Sequence, residues 1–214
     1  NIDDWEMYRV DYSFNVVIME EEKRRALIGT LQGARTKAAY TKRKISYSTS
    51  IYNKSERKTI QIYDKAAERK KKGRNIEPYE ENVIRYETQV RKDHIRSKAK
   101  RGIVTKDIDA WLNWEMYVSY LSEQCKYFCC GDYYSLERAI EHVKKSNYKD
   151  SEKRKLCMFL RQVADKGMDY AVETLAYQTI EKYILQLGAI GVNPLTIPNG
   201  YGITFIENPL KWLD

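Results

Sequence analysis

Thr59-Ile60-Gln61-Ile62-Tyr63-Asp64-Lys65 is the stretch on which the fold turns. Apolar and polar residues alternate in it, which is the period of a β-strand with one face on a core. Ile60 and Ile62 take one face; Gln61, Tyr63 and Lys65 take the other. Residues 45–52 also read as a strand, joined to the first by the polar turn Asn53-Lys54-Ser55-Glu56-Arg57. So short a connection makes the two an antiparallel hairpin. After Asp64 the pattern turns helical through Ala66, Ala67 and Glu68 to Lys72, and Gly73 ends it.

Two more strands share this patterning. In residues 7–17, Tyr8, Val10, Tyr12 and Phe14 lie on one face and Arg9, Asp11, Ser13 and Asn15 on the other. In residues 82–91, Ile84, Tyr86, Thr88 and Val90 oppose Val83, Arg85, Glu87, Gln89 and Arg91. A helix over residues 18–33 follows the first strand, with Glu20–Glu22 in the first turn, where the dipole favours acids. From about Asp93 the chain reads as helical. Helices are expected over residues 106–123, 135–145, 151–166 and 170–187, and a short strand over 201–206. Lys166-Gly167-Met168-Asp169 is a turn of helix-turn-helix length. The expected fold is α+β: an antiparallel sheet domain over 1–100 with helices on one face, then a helical C-terminal domain over 101–214.

The chain has 214 residues, enough for a sizeable core, with 43% hydrophobic and 32% charged. No apolar run approaches the ~20 residues of a membrane helix, so a soluble, cytoplasmic protein is expected. There are 38 Lys+Arg against 30 Asp+Glu, a net charge of +8, which suits a polyanionic partner. Basic residues crowd 35–44, 69–74 and 91–101, beside the strands. Cys125, Cys129, Cys130 and Cys157 match no metal-knuckle spacing and read as reduced core thiols. The chain shows neither a starting Met nor a signal peptide's basic and apolar regions, which leaves a whole chain and a fragment both open.

In a single sheet with its apolar face on helices, the polar faces converge. That gathers Arg9, Asp11 and Ser13 with Gln61, Tyr63 and Lys65 and with Arg85, Glu87, Gln89 and Arg91. Such a surface can attack a DNA phosphodiester. A tyrosine phenol titrates near ~10 and needs a cation to favour the phenolate; Lys65 is placed to supply that field. Asp11 and Glu87 supply oxygen ligands suited to Mg²⁺ or Mn²⁺, which would offset charge building on the phosphate. The same residues have a plainer use. Tyrosine packs well in strands, and Asp11–Arg85 and Glu87–Arg9 can be simple cross-strand ion pairs.

Residues 55–68, Ser-Glu-Arg-Lys-Thr-Ile-Gln-Ile-Tyr-Asp-Lys-Ala-Ala-Glu, followed by Val83-Ile84-Arg85-Tyr86-Glu87-Thr88-Gln89-Val90-Arg91, resemble the phage/plasmid replication initiators of the II/X family. Tyr8-Arg9-Val10-Asp11 is similar to that family's Arg-(Ile/Val)-Asp strand opening. The segments from Phe159-Leu160-Arg161 to Gly167 and from Thr179 to Gly191-Val192 are similar to its C-terminal helical region. The resemblance implies an HUH-type nickase that initiates rolling-circle replication through a covalent 5′-phosphotyrosine. It puts the catalytic tyrosine at Tyr63, accompanied by Lys65 and Glu68, with acidic positions at Asp11 and Glu87. One departure stands out: no His-hydrophobic-His pair is present, and His94 and His142 are isolated. Either the ligands lie in an N-terminal segment outside this sequence, or carboxylates serve instead.

The implied partners are single-stranded and origin DNA and host replication proteins, with no membrane. Arg9, Gln61, Arg85, Gln89 and Arg91 on the sheet, and Lys42, Arg43 and Lys44 before it, are the candidate DNA contacts. Two rival readings remain. One is a mobilisation relaxase with the same chemistry. The other is a non-enzymatic DNA-binding module whose helix over 170–187 offers Gln178, Thr179, Lys182 and Gln186 to a groove. The apolar Leu175, Ile180, Tyr183, Ile184 and Leu187 favour a core-packing role for that helix.

Overall fold

The computed structural model describes residues 7–33, 43–54, 57–105, 107–125 and 130–211. Five strands form one antiparallel sheet in the order β1-β5-β4-β3-β2: β1 Arg9–Val17, β2 Arg43–Tyr47, β3 Ser50–Lys54, β4 Lys58–Asp64 and β5 Val83–Arg91. On β4 and β5 the apolar face read from the sequence is buried, and so are Thr59, Tyr63, Val83 and Glu87 of the opposite face. On β5, Ile84, Tyr86, Thr88 and Val90 are all buried on one face. Phe14 of β1 stacks on Tyr86, ring centroids 4.6 Å apart and nearly parallel.

Helices cover that apolar face in two patches. At one end Val10, Tyr12 and Val90 pack with Ile95 of α3 (Lys92–Lys100), Trp111 of α4 (Ile108–Trp111) and Tyr120 and Leu121 of α5 (Trp114–Cys125). At the other end Ile51, Ile62, Ile84 and Tyr86 pack with Ala26, Leu27 and Leu31 of α1 (Glu21–Gln32). The same cluster takes in α6 (Leu136–Lys145) through Val143, and α7 (Asp150–Thr174) through Leu156 and Phe159. It also reaches Leu187 of α8 (Tyr177–Ala189) and Ile206. One core therefore draws side chains from both sides of residue 100. A ribbon of β6 (Tyr133–Tyr134) and β7 (Phe205–Ile206) completes the chain, so the final strand expected over 201–206 is shorter.

Several boundaries differ from the sequence reading. Residues 45–52 are not one strand. A two-residue turn at Ser48–Thr49 folds them into β2 and β3, with Tyr47 opposite Ser50. The helix expected from residue 18 starts at Glu21, because Ile18 donates its N–H to Asn82 across the sheet end. Residues 106–123 are not one helix. Asn113 intervenes: its amide donates to the Asp109 and Ala110 carbonyls while its Oδ1 accepts from the Met116 N–H, stopping α4 and starting α5.

The turn expected at residues 166–169 is a kink at one residue. Gly167 takes φ 81°, and the Met168 N–H turns to the Gly33 carbonyl at 2.9 Å. The helix expected over 170–187 is broken instead at Leu175, which is extended (φ −114°, ψ 149°) and packs against the core. Cys130 and Cys157 are buried, whereas Cys129 lies outside the described residues. No helix among the described residues is long and apolar enough to cross a membrane.

Candidate active site

The uncovered face of the sheet forms the floor of an open cavity of about 690 Å³. Strand register puts its residues together. Gln61 lies opposite Glu87, Tyr63 opposite Arg85, and Asp11 opposite Gln89. Because side chains alternate, all six project to the same side.

Glu87 is the hub. Its side chain lies in the sheet's polar face, yet the residue is only 8% exposed. Its Oε2 accepts the Tyr63 hydroxyl at 3.0 Å. Its Oε1 accepts Gln61 Nε2 at 2.9 Å and Gln89 Nε2 at 2.8 Å. Three donors on one buried carboxylate meet the requirement that a buried charge be hydrogen-bonded. Asp11 pairs with Arg9 on its own strand at 2.8 Å, and Arg85 donates to Asn15 at 2.8 Å. The cross-strand pairs Asp11–Arg85 and Glu87–Arg9 are therefore replaced by other partners. Arg91 reaches the Thr59 hydroxyl at 3.2 Å.

Lys65 is not part of the strand; it is the first residue of α2 (Lys65–Lys71). Asp64 caps this helix, its Oδ1 accepting the Ala67 N–H. The Lys65 ammonium lies 3.2 Å from Glu68 and 3.6 Å from Glu80, and 5.8 Å over the Tyr63 ring. Arg69 grips Glu80 through both carboxylate oxygens, at 2.8 and 2.7 Å. Two carboxylates thus hold the lysine whose field the sequence reading assigned to the phenol.

The phenol of Tyr63 is pushed well above its ordinary value. Burial is the main cause, followed by the charge and hydrogen bond of Glu87; Arg85 pulls the other way. The Asp11 carboxyl is also raised, first by burial, with Arg9 opposing and the charge of Glu87 adding to the rise. Two neighbouring like charges are what a divalent cation relieves, and Mg²⁺ commonly takes one or two carboxylates plus substrate phosphates. Asp11 and Glu87 are the carboxylates of the cavity floor that could contribute to such a site, but Glu87 already accepts three hydrogen bonds and Asp11 pairs with Arg9. Among the described residues no group of three or more His, Cys, Asp and Glu side chains is placed to hold a metal. His94 lies at Tyr120 and Trp111, and His142 against Tyr134, away from the cavity.

Of the candidate DNA contacts, Arg9, Gln61, Arg85 and Gln89 line the cavity. Arg43 and Lys44 lie on β2, and Lys42 lies outside the described residues. The sequence reading missed Tyr52, which faces the cavity opposite Gln61, and Lys71, Lys72 and Arg74, which rim it from the end of α2. The basic run after Tyr63 was the available signal for the last three. Nothing short of the register reveals Tyr52. Gln178, Thr179, Lys182 and Gln186 of α8 border a separate cavity of about 320 Å³, where Gln186 donates to Glu152 at 3.1 Å; Ile180 and Leu187 are buried.

Neither curated proteins nor solved structures gave a match. A family model for the N-terminal region of the phage gene II replication-associated protein matches residues 1–114, more than half of the chain and all of the sheet. A buried tyrosine–carboxylate pair on a basic-rimmed sheet face thus lies within the matched region, and the chain belongs to this gene II replication-associated protein family, as a filamentous-phage gene II-like replication initiator that binds DNA.

Proposed function

We propose that this protein starts rolling-circle replication of a phage or plasmid by nicking one strand at the origin, with Tyr63 as nucleophile. The observation that carries the reading is the hydrogen bond from the Tyr63 hydroxyl to Glu87 on the floor of the open cavity. Attack on phosphorus would leave the 5′ phosphate on Tyr63 and a free 3′ hydroxyl to prime synthesis by host replication proteins. The phosphotyrosyl bond keeps the energy of the broken linkage, so the same site can rejoin the strand.

Each neighbour has a role in this scheme. Arg9, Arg85, Lys71 and Arg74 draw the strand in through its phosphates. Arg85, the cation acting on Tyr63, favours the phenolate. Lys65 adds positive charge over the ring and ties α2 to Glu80. Asp11 and Glu87 would hold Mg²⁺ or Mn²⁺, which when bound supplies positive charge to the phosphate oxygens.

The test is a denaturing gel. The protein is incubated with Mn²⁺ and a labelled pool of single-stranded oligonucleotides of randomised sequence, beside Tyr63→Phe. A heat-stable, slowly migrating band that disappears in the variant, while DNA binding persists, supports the assignment. An equal band from Tyr63→Phe sinks it.

A further inference from the structure

We infer that Tyr52 is a base-stacking residue: its ring receives the base of a nucleotide whose phosphate lies at Tyr63, which divides the cavity into a phosphate side and a base side. The inference rests on the reading that this cavity takes a single DNA strand, and does not depend on the nicking step. Ile51 is buried against the core, so Tyr52 projects to the uncovered side of the sheet, opposite Gln61, and lines the cavity with Tyr63. Ser50 is the residue opposite Tyr63, so Tyr52 and Tyr63 are diagonal neighbours on adjacent strands, about 7–8 Å apart. One nucleotide spans that gap with its phosphate at the hydroxyl of one and its base on the ring of the other.

The ring is available. Tyr12 and Tyr117 donate their hydroxyls to the carbonyls of Trp111 and Ser13, and Tyr63 donates to Glu87. Tyr52 is half-buried and makes no hydrogen bond or ring contact among the described residues. Charge is also sorted across the cavity. Its cations Arg9, Arg85, Lys71 and Arg74 come from β1, β5 and the end of α2. β3 and the turn before it contribute Thr49, Ser50 and Tyr52, none of them charged. Phosphates are drawn to the cations. A base is best met by a flat ring with no charge to desolvate beside it, and an aromatic side chain offers that surface to every base.

The experiment compares two probes by fluorescence anisotropy: an oligothymidylate of about twelve nucleotides, and a strand of equal length and charge that lacks bases. The wild-type protein is expected to bind the thymidylate more tightly. Tyr52→Thr suits a strand but has no ring. It is expected to bind the thymidylate about tenfold more weakly than wild type, with affinity for the baseless strand and the slope of log K against log salt both unchanged. Tyr52→Phe keeps the ring and is expected to match wild type. Three results overturn the inference. One is unchanged affinity for the thymidylate in Tyr52→Thr. Another is an equal loss on both strands, which makes Tyr52 a structural residue or a phosphate contact. The third is a loss in Tyr52→Phe as large as in Tyr52→Thr, which assigns the effect to the hydroxyl. Absence of wild-type binding to either strand removes the reading of the cavity as a DNA site, and this inference with it. The expected pattern in a protein that forms no covalent adduct upholds the inference and removes the nicking reading alone.

Discussion

Arg24 on α1 and Asp64 are ion-paired at 3.0 Å in the interior, and Asp64 directly follows Tyr63 in the chain. Arg24 also donates to the carbonyls of Ile18 and Met19, at 2.6 and 2.9 Å, and to Asn82 Oδ1 at 2.9 Å. One guanidinium thus joins the end of β4 to the loop after β1 and the residue before β5. Asp64 in turn caps α2. The frame around Tyr63 is fixed from behind.

Breaking that frame is expected to cost much of the protein's stability. Arg24→Ala leaves the Asp64 carboxylate buried without its ion-pair partner, and removing one member of a buried pair costs about 3–5 kcal/mol. Urea unfolding with the slope held fixed measures it. The double variant Arg24→Met with Asp64→Asn is expected to lose less than Arg24→Ala, because no unpaired charge remains.

Acid is expected to loosen α2. The Arg69 guanidinium beside Glu80 holds its carboxyl down from 4.5 to about 2. The folded value lies below the unfolded one, so the carboxylate stabilises the fold at neutral pH. That contribution is complete above about 4.5 and fades as pH falls toward about 2. Glu80→Gln is expected to flatten the pH dependence of the melting temperature across this window. An unchanged acid slope in that variant contradicts the pairing.

DNA affinity is expected to depend steeply on salt. Lys71 and Arg74 rim the cavity, and each phosphate contact contributes close to one unit to the slope of log K against log salt. Arg74→Ala is expected to reduce that slope by about one, with little change in sequence preference. Fluorescence anisotropy across a salt series reads it.

Gly131→Ala is expected to damage the C-terminal ribbon. Gly131 has φ 57°, and a Cβ there would lie 2.5 Å from the Val192 carbonyl carbon and 2.6 Å from its nitrogen. Backbone cannot yield as a flexible side chain does, and the residue is also in the left-handed region. A loss of about 2 kcal/mol or more is expected from calorimetry.

The sheet was legible because alternation is a local property. Thr59 to Asp64 and Val83 to Arg91 display it without reference to anything else. Register is not local, and it decides what Glu87 touches. The sequence reading gathered Gln61, Tyr63, Glu87 and Gln89 on one face. It had no means to show that all three partners would end on the one carboxylate. Lys65 was misplaced for a related reason: a capping Asp64 starts the helix one residue earlier than the polar alternation suggests. In the C-terminal half, apolar spacing ran straight through Leu175, whose break depends on packing against a core assembled elsewhere. The Gly167 kink likewise depends on the Gly33 carbonyl, far away in sequence.

The shared core has a consequence during synthesis. Every strand of the sheet has left the ribosome once Arg91 has emerged, but much of its apolar cover, from Ala139 to Leu210, follows later. At translation speeds of about 5–20 residues per second, the nascent sheet waits on the order of ten seconds with Ile62, Ile84 and Tyr86 shielded only by α1. That interval is when a chaperone has most to hold.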